Sequence, residues 1–173
     1  IPDHRQLVEL LYRAGVQYSE ARFAESLILS WTVWERLIDV MWTRYVEARN
    51  GPAPGKVRLN SKRREKLRGR DFTASVVLEI LELAGELPHD LFGEVDLIRK
   101  ARNDWLHSLG TVSDSAAAMA VLRTQKLMKH ASGIDISVCL SRSGATFSLP
   151  TKFFNSDHSV NWDLLRTTPN ARR

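Results

Sequence analysis

The chain has a single cysteine, Cys139, so no intramolecular disulfide can staple the fold. Stability must come from a packed core, and 173 residues suffice to bury one within a single domain. Cys139 falls on the polar phase of an alternating segment without basic neighbours, which reads as a bystander thiol in a reducing, cytoplasmic setting. No apolar run approaches the length of a membrane span, and no secretory leader pattern opens the sequence. It begins Ile1-Pro2-Asp3 without a Met, as expected of an excised domain or of a trimmed chain. His4, His89 and His158 stand at no metal-ligand spacing with Asp, Glu or Cys, so neither a metal nor a cofactor is expected. No glycine-rich loop is present to cradle phosphates, and no Ser or Cys sits in a nucleophile elbow.

Positive charge is plentiful but local. The net charge is +5, yet Lys56, Arg58, Lys62, Arg63, Arg64, Lys66, Arg68 and Arg70 stand against the single acid Glu65 within one short segment. That segment carries +7 and leaves −2 for the rest of the chain. Such density suits a phosphate backbone, and it equally suits a solvated loop between helices held extended by its own repulsion. No aromatic residue interleaves the run to offer base stacking.

Periodicity predicts a mainly α chain of about five helices over residues 1–131, with a β-hairpin and tail over 132–173 appended to the same domain. The first helix spans Asp3 to Ala14 and stops at Gly15. Ser19 caps a long second helix to about Arg49, ended by Asn50-Gly51-Pro52. Its stripe is Ala24, Ile28, Trp31, Ile38, Trp42 and Tyr45, widened by Leu27, Trp34 and Met41. The breadth of this face suggests a dimer surface as well as core. After the basic segment, Thr73 to Ala84 forms a third helix. A fourth starts at Pro88 and ends near Gly110, and Ser113 or Asp114 caps a fifth through about Ala131. Ile134, Ile136, Val138 and Leu140 then alternate with polar residues, Ser143-Gly144 turns, and Phe147 and Leu149 continue the alternation. In the tail, Phe153, Phe154, Trp162 and Leu164 are docking candidates.

The most informative stretch is Arg99-Lys100-Ala101-Arg102-Asn103-Asp104-Trp105-Leu106-His107, the last turns of the fourth helix. Its apolar stripe is Leu91, Val95, Ile98, Trp105 and Leu109, and Arg102 falls within about 20° of the stripe's centre. A guanidinium sent toward a core needs an anion to meet it, either a side chain or a phosphate. Glu35 lies inside the apolar face of the second helix, between Trp31 and Ile38. A Glu35–Arg102 pair would satisfy both charges; the alternative is a Glu35 that snorkels to water.

Arg102-Asn103-Asp104-Trp105-Leu106-His107 resembles the R-x4-6-H signature of HEPN domains (higher eukaryotes and prokaryotes nucleotide-binding), in which a polar residue follows the Arg. The resemblance covers the helical part, roughly residues 3 to 131; the hairpin and the basic segment depart from the usual pattern. It implies an all-helical bundle and a metal-independent endoribonuclease acting as a homodimer, in a toxin, antiviral-defence or CRISPR-associated setting. An inhibitory antitoxin or a fused regulatory domain would accompany such a protein. Arg102, Asn103 and His107 would then be catalytic, Glu35 and Arg99 supporting, and the Lys56–Arg70 cations RNA-binding.

The residue types suit the chemistry. RNA carries its own nucleophile, the 2′-OH, so cleavage needs a base, an acid and positive charge at phosphorus. Imidazole serves either proton role, and Arg102 and Asn103 would hold the phosphate. Two proton transfers and one motif His per chain favour two copies of His107 in one cleft. On a straight helix Arg102 and His107 stand about 140° apart, whereas Asn103 and His107 share a face with Arg99 in line. Either Arg99 or Arg102 could therefore be the phosphate contact. A non-catalytic interaction or dimerisation module, or an RNA binder that does not cleave, fits the same composition.

Overall fold

Leu7, Leu11 and Ala14 recur at four- and three-residue intervals and are buried together in the computed structural model, which describes residues 4–67, 69, 72–108, 110–141 and 144–148. They belong to α1, His4–Ser19, which runs through Gly15 instead of ending there. A Cβ at Gly15 would stand 2.4 Å from Phe147 Cζ and 2.9 Å from Ala145 Cβ. Glycine here admits a neighbour, so it does not act as a stop.

The axis of the fold is α2, Phe23–Ala48, about 39 Å long at 26 residues. Trp31, Trp34, Leu37, Ile38, Met41 and Trp42 are all buried along it, as its broad apolar face requires. Ser19 does not cap it; the Ser19 hydroxyl donates to Val16 O at 2.8 Å within the last turn of α1. Arg22 takes the N-cap position without a side-chain hydrogen bond. A sixth helix, α3, Ser61–Leu67, occupies the middle of the basic segment. Asn60 Oδ1 accepts from Arg63 N–H at 2.8 Å, Arg64 grips Glu47, and Trp42 Nε1 donates to Leu67 O at 2.8 Å. A cap, an ion pair and an indole anchor thus outweigh the repulsion that would keep the segment extended.

The remaining helices start where their capping residues place them. Thr73 accepts from Val76 N–H ahead of α4, Ala74–Leu83. Pro88 precedes α5, His89–Ser108. Ser113 accepts from Ala116 N–H ahead of α6, Asp114–Ser132, which Gly133 closes at φ +74° in the left-handed region that favours glycine. Helices α1, α4, α5 and α6 all pack on α2. Trp34 Nε1 donates to Thr124 Oγ1 at 2.6 Å, fixing α6 to the axis.

The hairpin is β1, Ser137–Ser141, and β2, Gly144–Ser148, antiparallel with Val138 opposite Phe147. Two strands alone are marginal, and these lie on α1 and α6. Ile134, Ile136 and Val138 are buried, Gln125 Oε1 accepts from Val138 N–H at 3.0 Å, and Tyr12 meets Phe147 at 5.4 Å between ring centroids. Leu149 and the expected docking residues Phe153, Phe154, Trp162 and Leu164 lie outside the described residues. Among the described residues no helix is long and apolar enough to cross a membrane.

Candidate functional site

Leu91, Val95 and Ile98 bury the inward side of α5, and Arg102 follows them on the same side, half-buried. Its guanidinium carbon lies 6.0 Å from the centroid of the Trp31 ring, and Nη1 donates to Asn103 Oδ1 at 2.9 Å. The Nε–H of Arg102 is buried and has no hydrogen-bond partner among the described residues. The indole and the Asn103 amide therefore stand where a carboxylate was expected, and one donor is left over.

Glu35 does not meet Arg102. It is exposed and forms no ion pair among the described residues. The reason lies in register. Arg102 lies over Trp31, and Trp105, three residues on, shares a cleft with Ile28, three residues back, so α5 runs antiparallel to α2. One turn up α2 from Trp31 therefore corresponds to one turn back along α5, near Ile98. Glu35 also sits about 110° from the centre of the face that α2 buries, which turns its carboxylate to water. Arg99 is not a free phosphate contact either. Its Nη2 lies 2.6 Å from Asp96 Oδ1, and Lys100 lies 2.8 Å from Asp96 Oδ2. Hydrogen bonds from Lys100 and Arg99 hold the Asp96 carboxyl below the ordinary range.

His107 is exposed on the last turn of α5, where none of the described core residues covers it. The helix is continuous through Ser108, so Arg102 and His107 keep their angular separation of about 140°. Asn103 stands between them in angle: it accepts from Arg102 Nη1 and lies about 40° from His107 on the helix surface. The three expected catalytic residues are contiguous on one flank of α5, with Arg102 leaning inward and His107 outward.

The basic segment is not beside them. Arg64 binds Glu47 at 2.9 Å near the C-terminal end of α2, and this pairing raises the Arg64 pKa. The end of α5 meets α2 near Ile28. Nineteen residues of α2 separate these levels, about 28 Å. Lys56 Nζ donates to Ala48 O and is committed to closing α2. Arg58, Lys62, Arg63 and Lys66 are exposed and make no ion pair among the described residues, while Arg68 and Arg70 lie outside them. The acidic residues of α4 and α5 do not answer this charge: Glu94 pairs with Arg123 and Lys126, and His89 with Glu82.

Two hollows flank the other side of the α5 terminus. One, of about 220 Å³, is lined by Ala101, Asp104, Ser108, Val112 and Ala116, among others, at the α5–α6 connection. The other is an open cleft of about 600 Å³ at the start of α2, where Arg13, Gln17, Arg22, Glu25, Ile28 and Trp105 meet. Sequence periodicity counted Trp105 only as core, and nothing in the spacing of Arg13 and Arg22 brings them to it. Among the described residues no three His, Cys, Asp or Glu side chains cluster as a metal site. Comparison with protein-family models, curated proteins and solved structures finds no significant match to this chain.

Proposed function

We propose that the chain is a metal-independent endoribonuclease of HEPN type that acts as a homodimer, with Arg102, Asn103 and His107 as its site. One observation carries this reading. Asn103 ties Arg102, with its spare buried N–H, to the face of α5 that presents an exposed His107. An Arg–Asn–His array on an uncovered helix end suits a phosphodiester better than it suits a core.

In this mechanism the 2′-OH attacks phosphorus, the P–O5′ bond breaks, and the products are a 2′,3′-cyclic phosphate and a 5′-hydroxyl. One imidazole takes the 2′ proton and a protonated imidazole gives one to O5′, so two copies of His107 are required across the dimer. The Arg102 guanidinium and the Asn103 amide stabilise the negative charge on the phosphorane oxygens. The exposed cations of α3 lie too far along α2 to touch the same phosphate in one protomer. They hold the strand at a distance or from the second copy.

The test is an RNA cleavage assay with purified protein and a parallel melting curve. His107→Ala should lower the cleavage rate by about 100-fold or more at unchanged melting temperature. Absence of cleavage by the wild type, or full activity in the variant, would refute the reading. The separation of α3 from the motif favours one second reading, an RNA binder that does not cleave. It requires retained, strongly salt-dependent RNA binding without products.

A further inference from the structure

The C-terminal end of α2 gathers two helices of opposite charge. Arg64 of α3 binds Glu47 there, and Phe72, just ahead of α4, stacks on Trp42 at 5.5 Å between ring centroids. The chain beyond α4 returns to the same level: Glu86 O meets His130 Nε2 at 2.7 Å, and Arg44 donates to Ala131 O. Residues 74–90 hold Glu79, Glu82, Glu86 and Asp90 and no Lys or Arg. Glu82 meets His89, while Glu79, Glu86 and Asp90 are exposed and form no ion pair among the described residues. On α3 and just ahead of it, Arg58, Lys62, Arg63 and Lys66 are exposed in the same way, with Glu65 as the one acid among residues 56–67. Beside its carboxylates α4 also leaves an apolar stripe uncovered. Val76, Ile80 and Leu83 recur at four- and three-residue spacing, away from the buried Val77, Leu78 and Leu81. Leu83 is 82% exposed, the most of any large hydrophobic side chain among the described residues.

We infer that this end of the bundle is an interface between copies of the chain, α3 of one protomer lying on α4 of its partner and, by two-fold symmetry, α4 on the partner's α3. Charge complementarity chooses a second copy as the occupant. The cations that the α4 carboxylates lack are displayed by α3, and a two-fold contact makes each pairing twice. One protomer cannot close the contact on itself, because Glu47 and Trp42 hold α3 while α4 is packed on α2. Like charge rejects α3 on α3 and α4 on α4. The methylene stems of Lys62, Arg63 and Lys66 can cover Val76, Ile80 and Leu83 while their charged heads reach the carboxylates. Val57, 41% exposed beside Arg58, widens the apolar area. This end lies about 28 Å along α2 from the level of the motif, so the contact does not use His107 and does not rest on the ribonuclease reading. A protein that also pairs its motifs in one cleft would associate beyond a dimer.

The experiment is analytical sedimentation of the whole protein, without RNA, at low and at high salt. Self-association should weaken by about tenfold or more at high salt, which screens exposed ion pairs. Glu79→Lys with Glu86→Lys should weaken it by about tenfold or more at low salt, and so should Lys62→Glu with Arg63→Glu. All four side chains are exposed, and melting curves check that the fold survives. An equimolar mixture of the two charge-reversed proteins should associate within about threefold of wild type, because opposite charges face each other again. Leu83→Ser should weaken wild-type association by about tenfold at unchanged melting temperature. The inference is overturned by a wild type that stays monomeric at low salt, by reversed proteins that associate as tightly as wild type, or by a mixture that does not associate. Cleavage is read separately. A protein that cleaves RNA but fails the charge exchange keeps the proposed activity and loses this contact, and one that passes it without cleaving does the reverse.

Discussion

The guanidinium of Arg102 lies over the indole of Trp31, 6.0 Å from its centroid, with Nε–H buried and unpartnered among the described residues. A half-buried cation held by a ring and one amide is poised for an anion that the described residues do not supply. Arg102→Met should therefore leave the melting temperature within a few degrees of wild type, since Met fills similar space and removes an orphaned donor. Cleavage should fall sharply. A large loss of stability would instead make Arg102 structural.

Glu35→Ala should change stability by less than about 0.5 kcal/mol, as befits an exposed residue without an ion pair among the described residues. A cost of about 3–5 kcal/mol, typical of breaking a buried pair, would show that Glu35 and Arg102 do meet. Denaturant unfolding of the single variants and the double variant decides this.

Gly15→Ala should destabilise the protein by about 1–3 kcal/mol, although Ala is the better helix former, because its methyl group would collide with Phe147 and Ala145. Trimming Phe147 to Leu should recover part of that loss. If Gly15→Ala is neutral or stabilising, the hairpin is not seated on α1 as described.

Asp96 links acid to stability. Its folded pKa is depressed, chiefly by hydrogen bonds from Lys100 and then Arg99, so its contribution is present above the ordinary carboxylate pKa. That contribution is lost as pH falls through the folded value. Asp96→Asn should lower stability at pH 7 by roughly 0.5 kcal/mol, and the difference from wild type should vanish at strongly acid pH. A difference that is the same at both pH values would remove Asp96 from this role.

Replacing Arg58, Lys62 and Arg63 with Ala should weaken RNA binding and lower the salt slope by about 0.7 for each phosphate left without its cation. Because α3 lies about 28 Å along α2 from the motif, KM should rise while kcat holds. A matching fall in kcat would place these cations at the scissile phosphate.

Most of the elements were legible in the sequence because their signals are local. Thr73 and Ser113 mark helix starts by chemistry that acts within one turn, and the later part of the Ile134–Leu140 alternation is the strand Ser137–Ser141. The inward phase of Arg102 and the outward phase of His107 follow from 100° per residue alone. Gly15 and α3 were not legible. One is decided by Phe147, more than 130 residues away, and the other by Glu47 and Trp42 on a different helix.

The order of residues thus settled where five of the six helices and the hairpin form, and that Arg102 faces inward and His107 outward on α5, since those depend on neighbours a few positions apart. The fold alone decided that Trp31 and not Glu35 faces Arg102, that the basic helix sits at the far end of α2, and that Arg13, Arg22 and Trp105 share a cleft. Antiparallel register sets these relationships, and register depends on how whole helix faces interlock, which no local pattern encodes.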